Sequence, residues 1–304
     1  MRSSKPNLQI APILNPDWLT PRWPAPAHVK AVFTTRHGGA SVVPLLRPYD
    51  KYDRDGRYDS FNLGDHVGDQ AEQVARNRQQ LAQTLGAKPV YLKQVHGTDV
   101  VNLDAHTPDG TVADACITQG SNVACTIMVA DCLPVLFTNL DGTFVAAAHA
   151  GWRGLAAGVL QRTIERIYMK NQAVSGVNNA YSAMNIIAWL GPCIGKNAFE
   201  VGDDVKTAFT RQTPSAEAYF VALHDGKWLA DLAGLARMQL QQWGIPLANL
   251  YGHDGSDAWC TVTQSQRFYS HRRDAATLGG SGRMAACVWL DGHESPDQNA
   301  KIAR

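Results

Sequence analysis

The sequence predicts an α+β (mixed α/β) fold, a single layered domain in which mixed β-sheets are flanked by helices. The 304 residues are 45% hydrophobic and 18% charged, a composition typical of a chain with a large buried core. Segments with strand and helix patterns both occur, but they do not alternate strictly as they would in a doubly wound sheet. We see no internal repeat, low-complexity stretch or clear linker, so one domain is expected.

Composition also excludes several classes of protein. Lys and Arg number 28 and Asp and Glu number 27, so the chain lacks the basic excess of a nucleic-acid-binding protein. No apolar run reaches the ~18–20 residues that span a bilayer, and the N-terminus has no apolar core of a signal peptide. The six cysteines contain no Cys-x-x-Cys pair, which indicates reduced thiols. We expect a cytoplasmic protein without a nucleic-acid or membrane partner, and the oligomeric state stays open.

The residue pattern of the N-terminal third predicts two short strands and one helix. Five prolines make residues 1–24 an extended lead-in. An apolar stretch at 29–35 favours a strand, and a mixed-charge stretch at 45–60 favours a loop. Apolar residues at helical spacing predict a helix at 70–85 that ends at a glycine. A short strand is then expected at 90–92.

The densest apolar segment, residues 123–137, predicts a strand buried on both faces. Asp131 and Pro134 interrupt it, and a polar residue and a proline in such a run often mark a functional site. Asp141 and Gly142 form a strong hairpin-turn signal. The chain is expected to return as a second strand at 143–149.

The C-terminal half shows a similar mixture of elements. We expect one domain over 25–292 and a polar tail at 293–304. The predicted elements are a helix at 155–169, a loop at 171–183, a strand at 186–190, helices at 203–211 and 229–243, and a last strand at 284–290.

The hairpin register brings two reactive side chains together. A turn centred between Asp141 and Gly142 pairs residues whose numbers sum to 283, so Pro134 faces His149. Cys132 lies on the same face, because side chains alternate along a strand, and its Cβ is roughly 7 Å or less from that of His149. Such a pair can share a metal ion or act as a Cys–His nucleophile. The alternative is a buried cysteine beside a hydrogen-bonded histidine.

Two other segments carry candidate site residues. His96 follows a predicted strand and precedes a glycine, so it is either a projecting ligand or a solvated loop histidine. Arg153 lies in a Gly-Trp-Arg-Gly junction between a strand and a helix. Free N–H groups there, together with the guanidinium, can hold a phosphate or a carboxylate. The alternative is a glycine turn in which Arg153 pairs with an acidic neighbour. Arginines at 272, 273 and 283 form either a solvated face or a small-anion site.

Ten motifs together make the chain similar to the YfiH family, also called the laccase-domain or polyphenol oxidase family. They occur in the family's order over about residues 30–290. They are Phe-Thr-Thr-Arg-His-Gly-Gly at 33–39, Phe-Asn-Leu-Gly at 61–64, His-Val-Gly-Asp at 66–69, Asn-Arg at 77–78, Gln-Val-His-Gly at 94–97, Ala-Asp-Cys-Leu-Pro at 130–134, His-Ala-Gly-Trp-Arg-Gly at 149–154, Gly-Pro-Cys-Ile-Gly at 191–195, and Tyr-Ser-His-Arg-Arg-Asp at 269–274 with Gly-Arg-Met at 282–284.

The resemblance implies a CNF/YfiH-like fold, related to that of Rho-deamidating toxins. It implies a zinc site whose ligands, and catalytic residues, are His96, Cys132 and His149. Similar proteins are purine nucleoside phosphorylases that also deaminate adenosine and cleave methylthioadenosine, so purine nucleosides and phosphate are the expected substrates. The candidate substrate-binding residues are Asn62, Arg36, Arg153 and Arg273, and the sequence leaves open which arginine binds phosphate.

Two further functions stay open at this point. A copper-dependent polyphenol oxidase would suit the laccase label, but ten histidines include no His-x-His pair, so we interpret copper binding as adventitious. A Cys–His hydrolase or amidase editing cell-wall precursors would use Cys132 as nucleophile and His149 as base. The chain departs from the family pattern at 45–59, which is longer than usual, and at 278–281, which is inserted and brings the role of Arg283 into question.

Overall fold

A computed structural model describes residues 15–38, 58, 61–175 and 185–292 of the chain. Apart from Tyr58, the predicted loop at 45–60 lies outside these residues, as does the predicted tail at 293–304. The predicted lead-in is described from residue 15 onwards. Within the described ranges, no helix combines the length and the apolar character needed to cross a bilayer.

The described residues contain thirteen strands, six α-helices and three short 3₁₀ helices. The strands are β1 (Val29–Phe33), β2 (Lys88–Tyr91), β3 (Val100–Asn102), β4 (Ala115–Thr118), β5 (Val123–Val129), β6 (Leu133–Asn139), β7 (Val145–Ala150), β8 (Ile186–Leu190), β9 (Glu200–Gly202), β10 (Phe220–Ala222), β11 (Lys227–Ala230), β12 (Leu250–Gly252) and β13 (Met284–Leu290). The α-helices are α1 (Ala71–Leu85), α2 (Trp152–Ala157), α3 (Val159–Ser175), α4 (Asp203–Thr210), α5 (Leu232–Gln242) and α6 (His271–Leu278). The 3₁₀ helices are Pro214–Tyr219, Leu247–Asn249 and Asp257–Trp259.

The strands form three sheets, which confirms the predicted mixed fold. A six-stranded sheet has the order β12-β8-β6-β7-β4-β3, and a four-stranded sheet has the order β1-β13-β5-β2. A third, small sheet has the order β10-β11-β9. Parallel pairs (β2 with β5, β3 with β4, β8 with β12) occur beside antiparallel ones, so the two larger sheets are mixed.

The two larger sheets pack face to face and helices cover their outer faces. One core fills the space between the sheets and includes Ile127 of β5, Leu136 of β6 and Trp189 of β8. A second core joins the six-stranded sheet to α2, α3 and α5, and a third joins the four-stranded sheet to α1. Alternate residues of β5 and β13 belong to different cores. Both strands are therefore buried on both faces.

The apolar segment 123–137 is two strands and not one, which corrects the sequence prediction. β5 ends at Val129 in the four-stranded sheet and β6 begins at Leu133 in the six-stranded sheet. Between them Asp131 has a φ of 94°, a left-handed conformation in which the chain turns from one sheet to the other. Hydrophobicity does not reveal this break because the residues on both sides of it are buried.

The hairpin prediction is confirmed, whereas the helix that follows it begins earlier than predicted. Pro134 pairs with His149 in the β6–β7 ladder, the register expected from a turn at Asp141 and Gly142. The helix predicted at 155–169 is instead α2 and α3, separated by Gly158 at a φ of 95°. α3 also continues into the segment predicted as a loop, and residues 229–230 of the helix predicted at 229–243 belong to β11.

Trp189 supports a prediction about the core between the two sheets. It is 1% exposed, and its ring contacts those of Phe33 and Trp259 at centroid distances of 6.4 and 6.0 Å. Trp189→Ala should lower the free energy of unfolding by about 3–5 kcal/mol, because it leaves a cavity between the sheets. Trp243→Ala, at a position 39% exposed, is the matched control and should cost much less. Urea unfolding of both variants provides the comparison, and equal losses would contradict this account of the core.

Candidate active site

Three candidate residues from separate parts of the sequence converge at one end of the two sheets. His96 lies in the loop after β2, Cys132 in the crossing between β5 and β6, and His149 near the end of β7. The Cys132 Sγ is 3.7 Å from the His96 Nε2, and one ligand atom from each residue lies within 4.8 Å of the others. Among the described residues this is the one cluster of three His, Cys, Asp or Glu side chains that could hold a metal ion.

The cluster fits a tetrahedral metal ion. Zn–S and Zn–N bonds of about 2.3 and 2.0 Å at a tetrahedral angle place the sulfur and nitrogen about 3.5 Å apart, close to the 3.7 Å found between Cys132 and His96. Two imidazoles and a thiolate suit zinc and copper alike. Three protein ligands leave a fourth position for water or substrate, which is the arrangement of catalytic and not structural zinc sites.

Asp114, which the sequence analysis missed, orients two of these residues. It is fully buried, and its Oδ1 accepts a hydrogen bond from the His149 Nδ1 at 2.8 Å. This bond leaves the His149 Nε2 available to a ligand, as in carboxylate–histidine–metal groups. The same carboxylate accepts backbone N–H bonds from Val95, His96 and Gly97 at 3.1, 2.9 and 2.7 Å. The sequence did contain a signal for Asp114: an acidic residue between two alanines, directly before an apolar strand, is an unusual place for a charge.

The His96 loop is held in an unusual conformation. His96 has a φ of 60°, in the left-handed region that few non-glycine residues adopt. One residue pair ties the loop to β5: the Gln94 amide donates to the Met128 carbonyl and accepts from the Met128 N–H, both at 2.8 Å. Together with the bonds to Asp114, these contacts direct His96 towards Cys132.

Gly151 allows the three side chains to meet. A Cβ added there would lie 2.8 Å from the His96 Cδ2 and 2.9 Å from the Cys132 Sγ, closer than real Cβ atoms approach. A Cβ at Gly154 would lie 2.9 Å from the carbonyl oxygen of Gly97. The glycines of the 149–154 motif therefore let the start of α2 approach the His96 loop.

The electrostatics of the cluster favour a thiolate beside an imidazolium. Burial by itself would raise the pKa of the Cys132 thiol, but the charge of His149 and hydrogen bonds from both histidines lower this pKa to about 6. Burial by itself would lower the pKa of His149, but Cys132 and Asp114 raise it to about 9. Burial opposes ionisation of Asp114 too, yet its bonds from His149 and the loop N–H groups lower its pKa. Cys132 is thus ready to act as a metal ligand or nucleophile.

A cavity of about 780 Å³ opens beside the cluster and is lined by all three of its residues. This volume suits a small-molecule site. The charged residues on its wall are mostly cationic: Arg78, Lys93, Arg153 and Arg283, with Asp65 and Asp109 as the acidic ones. A smaller cavity of about 140 Å³, with an apolar lining that includes Trp152 and Phe199, also reaches Cys132.

The four predicted substrate-binding residues have different surroundings. Arg153 lines the large cavity, stacks over the Trp152 ring at 4.4 Å, and has no hydrogen-bond acceptor among the described residues, so the acidic partner considered for it is not found there. The sequence predicted a helix that begins at residue 155, after Arg153. Arg153 instead lies within the first turn of α2, which begins at Trp152. The other three are not among the residues that line the cavity; they are Asn62, Arg36 and Arg273.

Those three residues bond to the protein instead. Asn62 is buried and donates to the Asp69 carboxylate. Arg36 donates to the Ser265 carbonyl at 2.6 Å. Arg273 pairs with Asp274 at 2.6 Å and also donates to nearby backbone carbonyls. Two other arginines do line the cavity: Arg283, which the sequence offered as part of a solvated face or of a small-anion site, and Arg78, which it did not single out as a site residue.

The chain is similar to proteins of known family. Residues 30–291 match the family described as multi-copper polyphenol oxidoreductase laccase. A protein of Pseudomonas aeruginosa named purine nucleoside phosphorylase is 43% identical over 275 residues, which cover 90% of this chain and 98% of that protein. Purine nucleoside phosphorylase YfiH of Escherichia coli is 43% identical over 274 residues, with the same coverage. The crystal structure of Neisseria meningitidis protein NMB0706 matches with a TM-score of 0.76 and 44% identity, over 91% of this chain and 100% of that one.

Asp114→Asn should weaken metal binding. The substitution keeps one acceptor oxygen but replaces the other with an NH₂ group, so the bonds to His149 and to the loop cannot all be retained. Zinc affinity should fall by about 10–100-fold, measured by competition with a chromophoric chelator. Asp99→Asn changes an exposed carboxylate nearby in the chain and should leave the affinity unchanged. An unaltered affinity in Asp114→Asn would contradict the orienting role of Asp114.

Cys132 should be the most reactive thiol of the metal-free protein. It is half-buried, whereas the other five cysteines are buried. Because its pKa is lowered to about 6, its alkylation by iodoacetamide should rise as the pH passes through about 6 and level off near neutrality. An ordinary thiol, with a pKa of about 8.5, would keep gaining reactivity above pH 8. Peptide mass mapping across the pH range distinguishes the two profiles, and zinc should protect the thiol.

Proposed function

The chain belongs to the YfiH (laccase-domain) family, and on that basis we propose that it is a zinc-dependent purine nucleoside phosphorylase. One observation carries the proposal: the cavity that contains the His96–Cys132–His149 cluster also has a mostly cationic wall. A phosphorolytic enzyme must bind a nucleoside and a phosphate dianion together, and a cationic wall beside a reactive cluster suits that need. A volume of about 780 Å³ suits that pair of substrates.

The proposed reaction breaks the glycosidic bond. A phosphate oxygen forms a bond to C1′ of the ribose, the bond between C1′ and the purine nitrogen breaks, and the purine leaves with its electron pair and takes a proton. Cationic side chains of the wall hold the phosphate against C1′ and offset its charge. Zinc, when bound, supplies a Lewis acid. His96, Cys132 and His149 would hold the ion, while Asp114 keeps the His149 Nδ1 protonated.

Two further activities belong to the same proposal. Adenosine deamination needs water in place of phosphate as the nucleophile, and methylthioadenosine cleavage is phosphorolysis of a nucleoside with a different 5′ group. Both would use the same cavity. We propose residues 25–292 as one catalytic unit, since the cavity draws residues from Asp65 to Arg283. Six free cysteines support a cytoplasmic location.

One observation favours a second candidate, a Cys–His hydrolase or amidase. The lowered pKa of Cys132 and the raised pKa of His149 describe a thiolate–imidazolium pair, which is the activated state of such enzymes. Against a multi-copper oxidase, the described residues contain one candidate metal cluster and not several. Metal content separates the candidates, since a hydrolase of this type would work without metal.

The proposed function predicts a phosphate-dependent reaction. Zinc-loaded protein should release hypoxanthine and ribose 1-phosphate from inosine only with phosphate present, and inosine from adenosine with or without it. Cys132→Ala should abolish both reactions and lower the free energy of unfolding by only about 1–2 kcal/mol, because it removes a ligand but little buried area. Metal analysis and chromatography of the products provide the measurement. Full activity in a folded Cys132→Ala protein would contradict both the zinc and the hydrolase proposals.

A further inference from the structure

We infer that Arg283, supported by Arg78, binds the phosphate nucleophile in the cavity. The inference rests on the proposed phosphorylase function and extends it to a residue for which the sequence alone suggested no definite role. Arg153, exposed at the start of α2, is the competing assignment.

Arg283 presents unused hydrogen-bond donors to the cavity. It lies just before β13, is half-buried, and lines the same cavity as Cys132 and His149. Its Nη1 donates to the carbonyls of Ser281 and Gly282 at 2.8 and 3.1 Å. Within the described part of the chain, its Nε and Nη2 have no acceptor. One planar edge of the guanidinium is therefore available to a ligand, and this edge matches two oxygens of a phosphate.

The 61–64 motif holds the backbone of Arg283 in place. The Asn62 Oδ1 accepts the Arg283 N–H at 2.8 Å, and the Leu63 N–H donates to the Arg283 carbonyl at 3.1 Å. A Cβ at Gly64 would lie 2.7 Å from the Arg283 Cγ, so the glycine lets the arginine stem pass. Asn62 is itself fully buried and bonded to Asp69 and to the Gly64 backbone. Asn62 therefore acts on the site through Arg283 and not by contact with substrate.

Arg78 adds a second cation that is tied to the same segment. Its Nε donates to the Leu63 carbonyl at 2.9 Å, and its guanidinium stacks over the Tyr91 ring at 4.0 Å. Asp65 neutralises it in part, with an Nη2–Oδ1 distance of 3.1 Å. Leu63 thus links the two arginines, since its carbonyl accepts from Arg78 and its N–H donates to Arg283.

The guanidinium of Arg283 is half-buried and forms no ion pair with a carboxylate among the described residues, so a bound anion would stabilise it. Burial lowers the pKa of Arg283, although the charges of Cys132 and Asp131 act in the opposite direction without an ion pair to either. A phosphate dianion would replace the lost hydration with charge-assisted hydrogen bonds. Arg36 and Arg273 already have acceptors within the protein. Arg36 donates to a backbone carbonyl, and Arg273 pairs with the Asp274 carboxylate. Arg153 is exposed and keeps its hydration.

With phosphate bound to Arg283, the atoms, protons and electrons of the phosphorolysis reaction balance. Hydrogen phosphate bound to Arg283 attacks C1′ with one oxygen, and the bond from C1′ to the purine nitrogen breaks. The departing purine takes the proton of the hydrogen phosphate, so the products are ribose 1-phosphate and the neutral base. The arginine stays protonated throughout, and no oxidant or reductant is needed.

The test compares arginine variants of the zinc-loaded full chain. In Arg283→Lys, the KM for inorganic phosphate in inosine phosphorolysis should rise about tenfold or more, because the lysine keeps the charge but loses the planar pair of donors. Arg283→Gln should show a larger rise. At saturating phosphate, the KM for inosine should change by less than about twofold, because the nucleoside does not occupy the phosphate subsite. The rate of adenosine deamination should change as little, because that reaction uses no phosphate. Melting temperatures verify that each variant is folded.

Arg237→Lys is the matched control. Arg237 is a partly buried arginine that donates to the carbonyls of Leu250 and His253 and is not among the residues lining the cavity. Its replacement should leave the KM for phosphate unchanged. Titration calorimetry with inorganic phosphate on metal-free protein gives a readout independent of turnover, and binding by the parent protein should be lost in Arg283→Gln.

Several outcomes would overturn the inference while leaving the proposed function intact. One is an unchanged KM for phosphate in Arg283→Lys and Arg283→Gln together with a raised one in Arg153→Lys, which assigns the phosphate to Arg153. Another is weaker inhibition by inosine 5′-monophosphate in Arg283→Lys with an unchanged KM for phosphate, which assigns the subsite to a nucleotide. Absence of phosphate binding to the metal-free parent protein, together with formation of ribose 1-phosphate by the zinc-loaded protein, would also overturn it. The proposed function itself fails if the parent protein forms no ribose 1-phosphate.

Discussion

Asp114 accepts four hydrogen bonds inside the protein, and the geometry of the candidate site depends on all four. One comes from the imidazole of His149, and three come from consecutive backbone N–H groups of the His96 loop. A buried carboxylate is costly unless it is fully bonded, and this one is bonded to the two segments that must be brought together. The same group therefore orients one histidine, shapes the loop of the other, and supplies negative charge behind both.

The remaining architecture brings that carboxylate and Cys132 to the same place. Asp114 precedes β4, and β4 pairs with β7, which carries His149. Cys132 stands where the chain crosses from the four-stranded to the six-stranded sheet. Asp131 holds that crossing, since its carboxylate accepts from the Thr261 hydroxyl and from the Arg272 N–H at the start of α6. The cluster is thus formed by contacts that belong to both sheets and not by one loop.

Whether the sequence predicts a contact in the site depends on how far apart the two residues are along the chain. The pairing of Pro134 with His149 follows from a local turn, so the hairpin and the approach of Cys132 were predictable from the residues alone. The approach of His96 was expected only from family resemblance, because no local pattern reports a contact across 36 residues. Asp114 was missed, and Arg283 was left undecided between a solvated face and a small-anion site, for a related reason. Their partners lie far away in the sequence, and an isolated charged residue does not show whether it is solvated or bonded.

The backbone at the three clustered residues is not held equally firmly. This difference determines the order in which a bound metal ion would lose its three ligands. His149 is a paired residue of the β6–β7 hairpin and Cys132 directly precedes its first strand, so their backbone opens only when the central sheet does. His96 lies on an exposed loop that is tied down by Asp114 and Gln94. Local opening of that loop costs much less than global unfolding. An ion held by all three would therefore lose His96 first and remain on the cysteine and the second histidine. A species with two protein ligands would precede full dissociation, and its lifetime would depend on the stability of the His96 loop and not on that of the fold.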